Sequence, residues 1–558
     1  IEFKPSSAEI YNSLGISLSK LNLLKEAIRV YQHAIRFDPK YAPTYHHMGI
    51  SFAELGKFDK AVSVCKKAIE LDHYNYEVYN TLGNIYTELG QFENGLRAYQ
   101  KALDLNPCIA KLHFNFANML KLKGKLEESV VAYKRSIVLN PSYSEAYYNL
   151  GTLLQKQGKL EESVVVYHKA IGINPNYAEV YNNLGHMLHK QRDLDGAFQL
   201  YQKAVSLKPD FLVAYRNLGD VLSQQGKIEQ AIQSYEKAIE IQPDNAKSHH
   251  HLGMLLLLQG DFQRGWKEYE WRLKCNDFPV EKRGFAQPVW DGSPLNGKTI
   301  FLYAEQGFGD TIQFIRYVYE LTRYKVDIIF ECQSELLSLF RNIGAITQLI
   351  VQGDTLPDFD VHSSLLSLPR ILGTDLESIP SKVPYLPVKP LPVFRSNPNS
   401  KLKVGIVWAG NSWHPNDDTR SVDLQKFTIL FNVSACQFYS LQVGDRRNDI
   451  FNCNYSVPVI DLGANFSNFS DTASAIIELD LVISVDTSVA HLAGALGKNV
   501  WVLLSWIPDW RWLLEKEDTL WYPTMRLFRQ TRNGDWESAF QQLQLALKQY
   551  VLESCDLY

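Results

Sequence analysis

The stretch "YNNLGHMLHKQRDLDGAFQLYQKAVSLKPDF", residues 181–211, decides the fold of the first half of the chain. It contains two helical patterns that are separated by a polar turn, and the second pattern ends at Pro209. Related stretches recur every 34 residues, so residues 8–279 divide into eight segments without an insertion. The segments begin at Ala8, Ala42, Tyr76, Ala110, Ser144, Ala178, Leu212 and Ala246. A fixed period of this length predicts stacked helical hairpins.

Two positions of the repeat explain the hairpin. A small eighth residue lets the first helix lie close to the second. These residues are Gly15, Gly49, Gly83, Ala117, Gly151, Gly185, Gly219 and Gly253. Proline at position 32 ends the second helix in six of the eight segments, at Pro39, Pro107, Pro141, Pro175, Pro209 and Pro243. The pattern resembles the tetratricopeptide repeat, which implies an α superhelix with a concave groove.

Asparagine occupies the sixth position of four successive segments, at Asn115, Asn149, Asn183 and Asn217. This position lies on the first helix, which lines the groove in the tetratricopeptide family. An amide donates and accepts hydrogen bonds, so a ladder of them can hold a peptide backbone whatever its sequence. The ladder resembles that of the repeat domain of eukaryotic O-GlcNAc transferase, which implies a protein acceptor. The alternative is that these are polar helix positions that face water.

The composition limits the class of protein. The 558 residues are 46% hydrophobic and 21% charged, which is typical of a soluble, folded chain of two to four domains. The net charge of -4 argues against a nucleic-acid partner, and no apolar run is long enough to span a bilayer. Seven scattered cysteines without a CxxC pair predict reduced thiols and a cytoplasmic location. Because the first residue is Ile1, we expect a fragment of a longer chain.

The pattern changes after Pro279 to short β-rich runs that alternate with helical patterns, which predicts parallel α/β sheets. We expect a connector at 280–298, a first lobe at 299–395, and a second lobe at 401–558 whose last helix crosses back to the first lobe. The predicted strands are 299–303, 326–331, 347–351, 402–408, 436–441, 480–485 and 499–504, and the predicted helices are 311–323, 334–342, 423–432, 471–479, 488–496 and 536–552. Ligands of such sheets bind beyond the carboxyl ends of the strands, so we expect a site between the lobes.

The loop "EQGFGDT" (305–311) follows the first predicted strand and enters a helix. It lacks the third glycine of a dinucleotide fingerprint, because position 312 is Ile312. Gly307 and Gly309 bend the chain, and Asp310 lies near the start of the helix. Asp310 is either an N-cap or a carboxylate that faces the cleft and takes a proton from an attacking hydroxyl.

The segment "LVISVDTSVAHLAGALGKNVWVLL" (481–504) contains a buried strand, a polar turn, a helix of small residues and another buried strand. The free backbone N–H groups at the start of this helix predict an anion site. Thr487 and Ser488 add hydroxyls, and Asp486 orients the turn. His491 lies one turn inside the helix, as either a ligand contact or a buried core residue.

Three further clusters carry candidate donor contacts. Gly410 and Asn411 end the first strand of the second lobe, and Arg420 follows in a polar loop, where it can neutralise a diphosphate. Gln442 ends another predicted strand. Trp510 and Arg511 lie in an aromatic and basic stretch that either stacks on a base or sugar or is buried against the lobe.

These residues carry a second resemblance. "DTSVAHLAGALGK" (486–498) resembles the donor-binding motif of bacterial ADP-heptose heptosyltransferases, and "GFGDTIQF" (307–314) resembles their first-lobe loop. The resemblance implies a GT-B fold of two Rossmann-like lobes, an inverting reaction, no required metal, and Asp310 as the base. Ser488 stands where that family usually has glycine, and Arg420-Ser421-Val422 replaces an expected Lys-x-Trp-Pro element. Together with the repeats, the chain resembles bacterial repeat-containing glycosyltransferases.

We therefore expect a nucleotide-sugar-dependent glycosyltransferase that needs no cofactor or metal. A UDP-sugar is favoured as the donor, and a protein or peptide in the repeat groove is the expected acceptor. One alternative is transfer to a glycan or a lipid-linked acceptor. The other is a non-catalytic repeat scaffold with a degenerate transferase fold.

Overall fold

The computed structural model describes residues 7–275, 283–389, 401–413, 416–453 and 458–555. The chain forms two compact units, Ile1–Ala214 and Tyr215–Tyr558. The last part of the repeat array therefore groups with the α/β region. Part of the expected connector at 280–298, and residues 390–400 at the end of the first expected lobe and before the second, lie outside the described residues.

Within the described residues, each 34-residue segment forms two α-helices, as the period predicts. The helices are α1 (Ala8–Lys20), α2 (Leu24–Phe37), α3 (Ala42–Glu54), α4 (Phe58–Leu71), α5 (Tyr76–Glu88), α6 (Phe92–Leu105), α7 (Ala110–Leu122), α8 (Leu126–Leu139), α9 (Ser144–Lys156), α10 (Leu160–Ile173), α11 (Ala178–Lys190), α12 (Leu194–Leu207), α13 (Leu212–Gln224), α14 (Ile228–Ile241), α15 (Ala246–Gln259) and α16 (Phe262–Tyr269).

The small eighth residue has the predicted role inside the hairpins. A Cβ atom added at Gly151 would lie 2.6 Å from the ring of Tyr167, which is completely buried. The tyrosine of the second helix therefore occupies the space that a side chain on the first helix would need. The turn between the two helices requires a left-handed residue, such as Gly158 at a φ of +75°.

The first α/β sheet has four parallel strands in the order β3-β2-β1-β4. Its strands are β1 (Thr299–Tyr303), β2 (Asp327–Cys332), β3 (Gln348–Val351) and β4 (Val361–Ser364). Its helices are α17 (Phe308–Phe314), α18 (Tyr317–Leu321), α19 (Leu337–Phe340) and α20 (Leu368–Ile371). The helix predicted at 311–323 thus begins earlier, at Phe308, and is interrupted after Phe314.

The second sheet has six parallel strands in the order β10-β9-β8-β5-β6-β7. Its strands are β5 (Leu402–Val407), β6 (Cys436–Ser440), β7 (Ile460–Asp461), β8 (Leu481–Val485), β9 (Val500–Leu504) and β10 (Met525–Arg529). Its helices are α21 (Asp417–Arg420), α22 (Thr428–Phe431), α23 (Asp449–Asn452), α24 (Phe469–Ile477), α25 (Ser488–Ala495) and α26 (Trp536–Cys555). Counted from β5, this is the 3-2-1-4-5-6 order of dinucleotide-binding sheets.

The parallel α/β sheets expected from the sequence are confirmed, and both are consistent with a GT-B fold. Three strands were not predicted: β4, β7 and β10. The expectation that the last helix crosses to the first lobe is wrong. Helix α26 packs within the second lobe, where the ring of Phe540 lies 5.0 Å from that of Phe427, and Gln544 donates a hydrogen bond to the Ile429 carbonyl of α22 at 2.7 Å.

The core of the second sheet lies between its strands and helices α22 and α26. Strands β8 and β9 are buried along their whole lengths, as expected for central strands of a parallel sheet. Among the helices of the described residues, none is both long enough and apolar enough to cross a membrane.

Candidate functional site

The two glycine- and aspartate-containing loops lie at equivalent places in their sheets. The order of the first sheet reverses between β1 and β4, and "EQGFGDT" follows β1. The order of the second sheet reverses between β5 and β8. Strand β5 leads to Gly410 and Asn411, and β8 leads to Asp486. A crevice opens at such reversals because the crossover helices leave to opposite faces, so both are expected ligand sites.

The two loops also contact each other, because α17 packs against α25 at their first turns. A Cβ atom at Gly309 would lie 3.0 Å from the His491 ring and 3.5 Å from the Ser488 backbone. Glycine at position 309 therefore permits this close approach. Gly307 is the N-cap residue of α17.

Asp310 caps the start of α17 as its third residue, whereas Gly307 is the N-cap residue, and the Asp310 side chain also contacts the second lobe. Its Oδ2 accepts a hydrogen bond from the Gly307 backbone N–H at 3.0 Å, which stabilises the start of α17. Its Oδ1 accepts a hydrogen bond from the guanidinium of Arg511, which belongs to the second lobe. The carboxylate is 20% exposed. Asp310 is thus a helix-capping residue whose side chain also contacts the second lobe.

Arg511 is the centre of a buried charge network. Its guanidinium donates hydrogen bonds to Gln313 at 2.6 Å and to Asp509 at 2.7 Å, and its side chain is 6% exposed. Burial lowers the pKa of Arg511, but the carboxylates of Asp509 and Asp310 outweigh this effect and raise it above its ordinary value. A fixed positive charge therefore lies between the two lobes.

Asp486 and His491 lie beside this network. Burial, with a further contribution from Asp509, raises the pKa of Asp486 to about 6. Burial and the charge of Arg511 hold the pKa of His491 well below its usual range, so the ring is neutral. His491 contacts the Tyr522 hydroxyl at 3.0 Å, and its ring is stacked on Trp512. His491 is buried, so its surroundings are those of the core residue that the sequence left as an alternative.

Several polar groups here have unused hydrogen-bonding capacity within the described residues. The Nε atom of Arg420 is buried without a hydrogen-bond partner and lies 3.6 Å from Asp417. The guanidinium is so close to Gly410 that a Cβ atom there would lie 2.6 Å from it. Among the described residues, the indole N–H of Trp512, which is 1% exposed, makes no hydrogen bond of ordinary geometry, but it lies close enough to Asp486 to oppose the rise in the pKa of that carboxyl. Thr487 is the N-cap of α25, and Ser488 begins that helix.

Three predicted donor contacts are engaged with the protein itself. The Gln442 amide accepts from the backbone N–H groups of Trp408 and Ala409 and donates to the Ala409 carbonyl, so it braces the ends of β5 and β6. Asn411 accepts from the backbone N–H of Trp413. Trp510 is 3% exposed and packs edge-on against Trp266, so it has no free face on which a base could stack.

An ion pair that the sequence did not predict anchors the loop at 305–311. Arg272 follows α16 at the end of the repeats, and its fully buried guanidinium binds Glu305 at 2.6 Å. It also donates to Ser367 at 3.0 Å. Gln306, the next residue of the loop, donates to the Tyr269 hydroxyl at 3.0 Å. The last repeat therefore fixes the two residues that precede Gly307, and no local sequence pattern identifies such a long-range pair.

The asparagines of the sixth position are half-buried. Asn115 donates to Asn80 at 2.9 Å, Asn149 accepts from Lys121 at 3.0 Å, and Asn183 donates to the Tyr167 hydroxyl at 3.0 Å. Asn217 lies in α13 of the second compact unit. Asn149 also donates to the Glu145 carbonyl at 3.0 Å, and Asn183 also accepts from Asn182 at 3.4 Å. Because an amide side chain has two donor hydrogens and two acceptor lone pairs, these bonds do not use its full hydrogen-bonding capacity.

Within the described ranges, the side chains that commonly bind metals do not form a metal centre. No group of three or more histidine, cysteine, aspartate or glutamate side chains there is arranged to hold a metal ion.

Comparison with protein families identifies the repeats. Models described as "Tetratricopeptide repeat" match residues 8–41, 42–74, 76–107, 178–211 and 200–233, and a model described as "TPR repeat" matches 117–158, 153–192 and 219–260. The N-terminal half is a tetratricopeptide-repeat solenoid. All of the matched residues of this solenoid lie between 8 and 260.

Individual proteins also show similarity. Protein FlbA of Caulobacter vibrioides is 24% identical over 292 residues, and the match covers 47% of this chain and 48% of that protein. The chain thus spans about half the length of this curated relative. The crystal structure of MamA is 27% identical, with a TM-score of 0.28, and covers 31% of this chain and 94% of its own. That of YrrB, described as a TPR protein with an unusual peptide-binding site, is 25% identical, with a TM-score of 0.29, and covers 33% and 96%.

Proposed function

We propose that the chain is a metal-independent glycosyltransferase that uses a nucleotide-diphosphate sugar and binds a protein acceptor through its repeats. The observation that carries the proposal is the contact between the two loops. The Asp310 carboxylate, at the reversal point of the first sheet, pairs with Arg511 of the second lobe, and the preceding Gly309 lies against the first turn of α25. This pairs a group able to accept a proton with groups able to hold a diphosphate.

The proposed reaction uses the two loops for different steps. Asp310 accepts the proton of the acceptor hydroxyl, whose oxygen attacks the anomeric carbon of the sugar and inverts it. The bond from that carbon to the diphosphate oxygen breaks, and the nucleotide diphosphate leaves with the electron pair. Arg420, Thr487, Ser488 and the free N–H groups of α25 stabilise the charge that develops on the leaving group.

The ion pair with Arg511 occupies one oxygen of the Asp310 carboxylate. A general base must contact the proton that it accepts, so we expect the acceptor to displace Arg511 from Oδ1 as it binds. Arg511 would then turn toward the diphosphate. A UDP-sugar remains the favoured donor by analogy with the repeat domain of O-GlcNAc transferase.

A substitution at Asp310 tests this proposal. The Asp310→Asn variant should transfer sugar at least about a hundredfold more slowly, because general-base catalysis contributes on this scale. Nucleotide binding should be retained. Transfer from labelled nucleotide sugars to peptides is the measurement, and Asp244→Asn, the same change at an exposed repeat residue, is the matched control. Unchanged turnover of Asp310→Asn would exclude it as the base.

The second candidate function is a non-catalytic scaffold, in which the repeats bind a partner and the α/β lobes are structural. One observation favours it: both carboxylate oxygens of Asp310 are engaged, one by Gly307 and the other by Arg511. A scaffold of this kind would bind peptides through its repeats. It would bind no nucleotide diphosphate, and this separates the two proposals.

A further inference from the structure

A groove of about 630 Å³ lies among the first helices of the second, third and fourth repeats. Its floor is one face of α5, where Glu77, Asn80, Asn84 and Glu88 follow one another at helical spacing. Ile50 of α3 and Leu112 of α7 are among its apolar lining residues. The groove lies entirely in the first compact unit, whereas the candidate catalytic residues belong to the second.

The floor offers two oriented amide donors. Asn80 accepts a hydrogen bond from Asn115 at 2.9 Å through Oδ1, and Asn84 accepts one from the Tyr99 hydroxyl at 2.6 Å, also through Oδ1. Burial raises the pKa of Tyr99 to about 12, so its hydroxyl remains a donor. Within the described residues, the NH₂ groups of Asn80 and Asn84 have no hydrogen-bond partner. They are therefore free to donate to the carbonyl groups of an occupant.

The groove is also acidic. The lining carboxylates of Glu54, Glu77 and Glu88 are exposed, and in the part of the chain that the structure describes none of them forms an ion pair within 4 Å. Lys111 is the lining residue of opposite charge. His46 adds no positive charge, because burial and the neighbouring His47 lower its pKa to about 4. Negative charge therefore exceeds positive charge along the groove.

The positions of the carboxylates set the length of an occupant. Glu77 and Glu88 lie on the same face of α5, three turns apart, which corresponds to roughly 16 Å. An extended chain covers this distance with about five residues. The two charges thus lie near opposite ends of a groove whose middle offers amide donors and apolar walls.

We propose that this groove binds an extended peptide segment that carries lysine or arginine side chains. The amides of Asn80 and Asn84 bind its carbonyl groups, and the carboxylates of Glu77 and Glu88 bind its cationic side chains. This inference rests on the proposed use of the repeats to bind a protein acceptor, and it adds the chemistry of the recognised segment. Recognition here depends on charge as well as on the backbone.

Peptide binding to the full chain tests this inference. The probes are fluorescein-labelled peptides of about seven residues, in which alanine and valine alternate with lysine, glutamine or glutamate. Anisotropy at low salt should show tight binding of the lysine set, weaker binding of the glutamine set and no binding of the glutamate set. Equal affinity for the three sets, or no binding of the lysine set, would overturn the proposal.

Variants that replace carboxylates of the groove with amides test whether the peptide binds in this groove. Glu77→Gln with Glu88→Gln should weaken binding of the lysine peptide roughly five- to tenfold, as expected for two solvent-accessible ion pairs. The matched control is Glu161→Gln with Glu162→Gln, which removes the same charge from an exposed part of α10. Equal affinities of the two double variants would overturn the assignment. The anisotropy assay contains no donor sugar, so a negative result overturns only the proposal for the groove. The proposed sugar transfer is tested separately with the Asp310→Asn variant.

Discussion

At the scale of single residues, Arg272 is the strongest test of how the last repeat supports the α/β region. It is fully buried against Glu305. Arg272→Met leaves that carboxylate unpaired, so we expect a loss of about 3–5 kcal/mol in the free energy of unfolding. All eleven tryptophans lie between Trp266 and Trp536, so tryptophan fluorescence during urea denaturation reports on this unit alone.

Two further variants make the Arg272 prediction specific. Arg370→Met removes a partly exposed arginine that binds Glu270 at 3.1 Å, and it should cost less than about 1 kcal/mol. Combining Arg272→Met with Glu305→Gln should recover part of the loss, because no unpaired charge then remains buried. A double variant no more stable than Arg272→Met would contradict the ion-pair explanation.

Asp486 gives the protein a predictable pH dependence. Burial raises its pKa to about 6 in the folded state, above the value of about 3.9 in an unfolded chain. The folded state therefore binds this proton more tightly, and the stabilisation is full below about pH 4 and is lost as pH rises through 6. We expect Asp486→Asn to be more stable than the parent protein at pH 8 by roughly 1–3 kcal/mol, and to differ little at pH 4. Urea denaturation at both pH values measures this, and an equal difference at the two would contradict it.

At the scale of elements, alanine substitutions at two helical glycines distinguish the effect of side-chain packing on stability from that of helix propensity. Gly151→Ala places a methyl group 2.6 Å from the buried Tyr167 ring, so we expect a loss of about 1–3 kcal/mol. Gly172 lies in α10 with nothing within 4 Å of an added Cβ, so Gly172→Ala should stabilise by up to about 1 kcal/mol. Thermal denaturation followed by circular dichroism checks both changes. Stabilisation by Gly151→Ala would show that the hairpin does not need its glycine.

The elements also show what could be predicted from the sequence. The repeat helices followed from a strict period, and β1, β8 and β9 followed from apolar runs, because central parallel strands are buried on both faces. Strand β4 was missed because "VHSS" has no apolar run, although all four residues are buried. Its Ser364 accepts a hydrogen bond from Arg272, which is a polar reason for burial that no local pattern contains.

The residues of the candidate site also fall into those that could be located from the sequence and those that could not. Asp310 and the segment from Asp486 to His491 could be located because each follows a recognisable strand and begins a helix. The burial of Trp510 could not be foreseen, because it depends on contact with Trp266 of the last repeat. The same holds for Arg511, whose partner Asp310 lies 201 positions away in the chain. Tertiary contacts decide which side chains remain open to a ligand.

At the scale of the whole molecule, we expect the two compact units to bind different ligands. The first unit contains the acidic groove, and the second contains the two α/β sheets with the contact between their loops. A peptide should therefore stabilise the first unit, and a nucleotide diphosphate should raise the melting temperature reported by the tryptophans of the second. Binding to the native state alone raises stability by mass action.

The central claim is nucleotide-sugar chemistry, and thermal denaturation followed by tryptophan fluorescence tests it most directly. A screen of nucleotide diphosphates should find one, with UDP favoured, that raises the midpoint by several degrees at about a hundredfold excess over its Kd. Arg420→Ala should abolish the shift, whereas Arg526→Ala, at a half-exposed arginine of β10, should keep it. If no nucleotide diphosphate or nucleotide sugar moves the midpoint of the parent protein, the proposed transferase function is contradicted and the scaffold function is favoured.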